Sequence, residues 1–280
     1  MKVLVTGGSG YLGTHIRQFF DAKDLSRRNG RDILNLQDVA DVANYDVVIH
    51  MAANLDKSPA ASKQTFQTNV EGTVNILQNI REDTAFIYLS TKDLYGRFAD
   101  NYREVPENCP TLYSGQSALE WSKLIGERYV EFYANQNKFR SCIFRLSATY
   151  APPSDRNTPN FVGHYADAIN KGERIRLPGR GAPIRDILHV DDLARACSAF
   201  VASIIRHGTY NIGGGRENSM SLRELVTKME EVSGLQAVID EENPLPSPVP
   251  VNYVSDLSLI GQELDWKPEI KLDDGLKALF

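Results

Sequence analysis

The sequence predicts an α/β protein: a doubly wound parallel sheet carrying a small C-terminal α/β cap. Three observations predict it. Short β-branched or apolar runs alternate with helical patterns, the rhythm of a parallel sheet covered on both faces. A glycine-rich turn joins the first run to the first helical pattern. After Tyr150 the alternation gives way to "APPSDRNTPN", a proline-rich polar stretch that takes the chain out of the sheet.

Strands are expected at "KVLVTG" (2–7), "YDVVIHMA" (45–52), "AFIYLST" (85–91) and "SCIFRLS" (141–147). Between them, "FQTNVEGTVNILQNI" spaces Val70, Val74, Ile76 and Leu77 like one helix face, and "ALEWSKLIGERYVEFYANQ" does so over five turns. Beyond the proline-rich stretch comes a short helix, "FVGHYADAINKG". "HVDDLARACSAFVASII" follows, with Asp191 and Asp192 in its first turn, where they suit the positive end of the helix dipole. "TYNIGGG" reads as a last strand returning to the sheet, and "SLRELVTKMEEVSG" as a helix completing the cap. The expected division is a sheet domain over 1–150, completed by about 186–212, with 151–185 and 213–280 forming the cap.

At 280 residues the chain can bury a sizeable core. A hydrophobic share of 42%, a charged share of 24% and a formal charge of −5 give no electrostatic reason to expect nucleic acid or an anionic membrane as partner. Cys109, Cys142 and Cys197 lie far apart, supporting neither a disulfide framework nor a zinc site. "MKVLVTGGSG" lacks the apolar core of a signal peptide, and no stretch approaches the roughly 18 apolar residues of a membrane span. A cytoplasmic protein is expected.

"TGGSGYLG" spaces Gly7, Gly10 and Gly13 by three, with Tyr11 and Leu12 between the last two, directly after a strand and before a helix. Glycines there allow a tight turn and let backbone N–H groups approach a pyrophosphate at the helix N-terminus. That is a Rossmann-type dinucleotide loop. The acid expected about 20 residues on, for the adenosine ribose, falls in a compressed stretch where Asp24 is the nearest carboxylate and Arg27 and Arg28 stand beside it. Arginines at the end of the second strand favour the 2′-phosphate of NADP over NAD, because a guanidinium offers phosphate a planar, charged fork. NAD stays open.

Several segments together resemble the extended short-chain dehydrogenase/reductase family of nucleotide-sugar epimerases, dehydratases and reductases. They are "TGGSGYLG", "DVVIHMAA", "FQTNVEGTVNIL", "YLSTKDLYG", "WSKLIGE", "FRLSATYAP", "PIRDILHVDDLARA", "YNIGGG" and "LDWKPEI", in family order across nearly the whole chain. "YNIGGGRENSMSLRELV" is similar in particular to the CDP-sugar 2-epimerase branch. The resemblance implies a nicotinamide dinucleotide held at Gly7, Gly10 and Gly13, with Asn35 and Leu36 near the adenine and Ala52, Ala53 and Asn54 lining the cofactor. It implies that Thr91 bonds the reacting sugar oxygen and Lys123 the nicotinamide ribose, and that Asn160 and Arg185 contact a nucleotide-sugar substrate. It further implies a homodimer paired through the helices containing Val70–Leu77 and Leu119–Tyr133.

One position departs from the family. Four residues before Lys123, where the family keeps the tyrosine that carries the proton, the chain has Leu119. A tyrosine of pKa about 10 needs a lysine one helical turn away to make phenolate accessible; leucine has no proton to give. Three explanations stand. Tyr113, which follows a proline as the family's tyrosine does, is brought back by a bend, since ten residues on an unbroken helix span about 15 Å. Or Asp93 or a bound water moves the proton for a different step, such as elimination. Or redox chemistry is lost and the protein binds its cofactor as a sensor or partner subunit.

Overall fold

The structure is a computed structural model that describes residues 1–111, 115–153, 160–243 and 249–280; the side chains of 241–243 are also outside the description. Its strands are β1 (Val3–Thr6), β2 (Lys23–Leu25), β3 (Val47–His50), β4 (Ala85–Thr91), β5 (Arg140–Leu146), β6 (Ala148–Tyr150), β7 (Arg174–Pro178), β8 (Ile184–His189), β9 (His207–Ile212), β10 (Ser219–Ser221) and β11 (Val238–Asn243).

Six strands form one parallel sheet in the order β2-β1-β3-β4-β5-β9. Side chains alternate between two buried cores. Leu4, Val48, Phe86 and Ile143 enter one, while Val5, Ile49, Ile87 and Phe144 enter the other. This is why each strand reads as a continuous apolar run, and the expected parallel sheet is the one found. The chain leaves β1 toward β2 on one side and returns to β3 on the other, so strand order reverses there. The carboxyl ends of β1 and β3 therefore open a crevice beside the glycine turn.

The helix expected around Val70–Leu77 is present but not uniform: Ser62–Phe66 and Gly72–Leu77 are α-helical, and Gln67–Glu71 between them is a π turn. Asn69 lies in that turn, and its side chain accepts from Asn54 N at 2.7 Å and donates to Ser122 Oγ at 2.9 Å. Such bulges let one side chain reach a partner off the helix. The long helix runs Ala118–Asn137 and starts in a capping box of Ser117 and Glu120.

The cap is built on a second core, including Tyr150, Val162, Ile169, Leu177, Ile187, Leu225, Met229 and Leu276. A three-stranded sheet, β10-β8-β6, and a parallel pair, β11-β7, carry it with the helices Phe161–Lys171, Leu222–Ser233 and Leu272–Lys277. Within 186–212, the helix Val190–Ala202 and β9 join the main core, whereas Asp186–His189 lies in the three-stranded sheet. The cysteines are free and buried, and among the described residues no group of three or more His, Cys, Asp or Glu could hold a metal and no helix is long and apolar enough to cross a membrane.

Candidate active site

The glycine turn is shaped by what its side chains would strike. Gly7 has φ +72°, and a Cβ there would meet the Ala52 backbone at 2.9 Å. A Cβ on Gly13 would overlap the Gly7 carbonyl oxygen and stand 3.0 Å from Gly8 Cα. Gly10 N donates to Gly7 O at 2.9 Å, closing the turn. The helix Tyr11–Phe19 begins at Gly10 with no side-chain cap, at the positive end of its dipole. These features fit a pyrophosphate.

A cleft of about 650 Å³ opens from this turn. Gly7 and Ser9 to Gly13 line it together with Met51, Ala52, Ala53 and Leu55, with Thr149 and Asn160, and with Ser26, Arg27, Arg28, Arg31, Asp32 and Ile33, the last group beginning beside the turn where Ser26 Oγ donates to Ser9 Oγ at 2.9 Å. Asn160 thus stands on the cleft beside the glycine turn, capping the helix Phe161–Lys171 through Val162 N at 3.1 Å and Gly163 N at 3.2 Å.

Several of the expected positions have other partners in the structure. Asn35 and Leu36 are not in the cleft wall; Asp32 and Ile33, three residues earlier, are. Asn35 instead caps the short helix Leu36–Val39 by accepting from Gln37 N at 3.0 Å, and Leu36 is exposed. Asp24 lies in β2, buried beneath the glycine turn, where Ser26 Oγ donates to it at 2.9 Å and Ser9 Oγ also donates. The residues that follow β2 are Ser26, Arg27 and Arg28, with Arg28 donating to Ser9 O at 3.1 Å. Asn54 is tied to Asn69 and does not line this cleft.

At the end of β4, Thr91 caps the next turn by accepting from Asp93 N at 3.2 Å. Burial would raise the Asp93 pKa, but Lys92 at 2.6 Å and Lys57 at 2.7 Å outweigh it and hold the carboxyl well below its usual range. Lys57 also reaches Glu120 at 2.7 Å. A second cavity, about 750 Å³, is lined by Lys57, Asp93, Gln116, Ser117, Glu120, Val249 and Pro250 among others. Lys123 is buried, donates to Leu89 O at 2.6 Å and lies 4.8 Å from the centre of the Tyr88 ring; burial draws its pKa down to about 8, against the pull of Glu127. Neither Thr91 nor Lys123 is in the wall of either cavity.

Leu119 is 6% exposed, packed at the start of the long helix. Tyr113 lies outside the described residues. Arg185 does not point free into the cleft: its guanidinium donates to Ile184 O at 2.7 Å, Val251 O at 2.9 Å and Pro250 O at 3.0 Å, clamping that segment against β8. The long helix approaches β4 through Gly126, where a Cβ would overlap the Tyr88 hydroxyl and stand 2.8 Å from its Cζ. Gly126→Ala is expected to destabilise the fold by about 2 kcal/mol, read as a lower midpoint in urea; an unchanged midpoint would show that the helix shifts at no cost.

The fold and this crevice define a Rossmann-like α/β protein. A family model described as the NAD dependent epimerase/dehydratase family matches residues 3–213, and the chain belongs to that family. Among its relatives, CDP-paratose 2-epimerase of Salmonella typhi is 26% identical, the alignment covering 100% of this chain and 98% of that protein. Among solved structures, UDP-glucose 4-epimerase of Thermotoga maritima with UDP-glucose superposes with TM-score 0.85 at 23% identity, covering 100% of this chain and 97% of that one. RMD of Pseudomonas aeruginosa complexed with NADPH does so with TM-score 0.83 at 21% identity, with the same coverages.

Proposed function

We propose that the chain is an NADP-preferring oxidoreductase, epimerase or dehydratase acting on a nucleotide-linked or related sugar, with a proton carrier other than the family's tyrosine. The observation that carries this reading is the cleft: a glycine cradle, with Ser26, Arg27 and Arg28 after β2 beside it. When bound, the nicotinamide takes or gives hydride. The glycine turn binds the diphosphate, and Arg27 and Arg28 pair with a 2′-phosphate. Thr91 orients the sugar oxygen and Lys123 holds the ribose. The names of the Salmonella and Thermotoga relatives support a nucleotide-sugar substrate, and the NADPH complex of the Pseudomonas protein is consistent with NADP in this fold.

Leu119 moves no proton. Asp93, held ionised by two ammonium groups, suits an acceptor or orienting role better than that of an acid. Tyr113 stays a proposed donor. A homodimer through the helices at 62–77 and 118–137 is part of the proposal, supported by the exposed Phe66, Trp121, Tyr129 and Phe132 on those helices.

The test is titration with NADPH and NADH, followed by absorbance at the nicotinamide band with a panel of keto-sugar nucleotides. NADPH should bind more tightly, and Arg28→Ala should weaken it about tenfold with NADH unchanged; equal loss for both would remove the 2′-phosphate assignment. Turnover lost in Tyr113→Phe would assign the proton to that hydroxyl. Tight binding without turnover, unaffected by Tyr113→Phe, favours a second reading, a non-catalytic cofactor-binding subunit; the buried Leu119 is the observation on its side.

A further inference from the structure

Behind Lys123, one turn along the same helix face, lies Glu127, 1% exposed. Its Oε1 accepts from Ser90 Oγ at 2.6 Å and from Arg145 Nε at 3.1 Å, and its Oε2 from Arg145 Nη2 at 2.8 Å. Arg145 continues to the Tyr95 hydroxyl at 3.1 Å and Glu107 O at 2.9 Å, and Tyr95 to Asn211 Oδ1 at 2.6 Å. Glu127 is therefore bonded to the residue directly before Thr91 in β4 and to β5, and through Tyr95 it is linked to β9.

Such a buried charged network carries a large desolvation cost and often contributes little net stability compared with an apolar replacement. What it fixes here is geometry. Lys123 grips β4 at Leu89 O and Glu127 grips it at Ser90, so two successive residues of β4 hold two successive turns of one helix face. We infer that Glu127 is a positioning residue: it fixes Lys123 and Thr91 against one another and supplies the negative charge that Lys123 faces inside the fold.

Other groups around Lys123 among the described residues cannot supply that charge. From β4 come the Tyr88 ring and the Leu89 carbonyl. From β3 comes His50, held neutral because burial, reinforced by Lys123 itself, pushes its pKa down to about 3; its ring nitrogens bond Thr6 and Thr73. Glu127 alone opposes the burial that lowers the Lys123 pKa.

The inference rests on the reading of Lys123 as a cofactor contact, and the experiment separates the two. Affinity for NADPH is measured from pH 6 to 10 by fluorescence titration. In the native protein the ammonium form binds better, so affinity is full below about pH 8 and falls as pH rises through it; Lys123→Met should bind weakly and without this step. Glu127→Gln should move the step down by about one pH unit, and Glu127→Asp, which keeps the charge but withdraws it, should move it less and serves if the glutamine variant does not fold. A merely structural Glu127 would lower affinity at every pH with the midpoint unmoved, overturning the inference while the cofactor reading stands. No step in the native protein, or a step that survives Lys123→Met, overturns both.

Discussion

Replacing Gly13 with valine is expected to weaken dinucleotide binding more than 100-fold while the sheet stays folded. A single Cβ at this position already overlaps the Gly7 carbonyl oxygen, and valine adds two methyl groups. The turn can admit them only by moving Gly7 away from the helix, which breaks the hydrogen bond from Gly10 N to Gly7 O and tilts the first helical amides off the diphosphate. A 100-fold loss is about 2.7 kcal/mol, the scale expected when several backbone bonds to a charged group are misaligned together. Calorimetry with NADPH reads the loss, and circular dichroism verifies the fold. Native affinity in a folded Gly13→Val protein would mean that the dinucleotide lies elsewhere, and the functional proposal would fall with it.

The second large effect is on stability. Asp192 is fully buried, and its carboxylate receives Glu269 N at 3.0 Å, Ile270 N at 3.2 Å and the Arg195 guanidinium. Trp266 Nε1 donates to the carbonyl of the same residue at 3.1 Å. Asp192→Ala would leave two backbone donors without their acceptor and remove the buried partner of Arg195, which keeps Glu269 at 3.5 Å, so the expected cost is about 2–4 kcal/mol, with a melting temperature lower by on the order of 10 °C. Asp191→Ala, on the exposed side of the same helix turn, should cost no more than about 1 kcal/mol. Equal losses in the two variants would show that both act only on the helix dipole.

The contrast between these neighbours shows where the sequence was readable. A dipole argument treats both aspartates alike because it sees only their place in the helix; burial under 266–270 is a long-range fact with no local signature. β4 was expected at 85–91 and lies there, since a strand buried on both faces has unbroken apolar character. The glycine turn was legible because its backbone needs are local. The adenine end was not: β2 has three residues, Lys23–Leu25, too few for any periodicity, so Asn35 and Leu36 came from the resemblance alone, whereas Asp32 and Ile33 line the cleft. Arg185 matched its motif in type, yet three carbonyls take its guanidinium. Glu127 could have been found from its spacing of four after Lys123, which places both on one helix face; nothing local pointed to Arg145 as its partner.

The brevity of β2 has a further consequence for how the protein behaves in a crowded solution. β2 is one border of the six-stranded sheet, where unpaired peptide groups would otherwise invite a strand from another molecule. Three residues, the first an exposed lysine, offer an intruder little length to zip along and a charge to desolvate. The same shortness that concealed the strand leaves this border of the sheet a poor template for sideways growth.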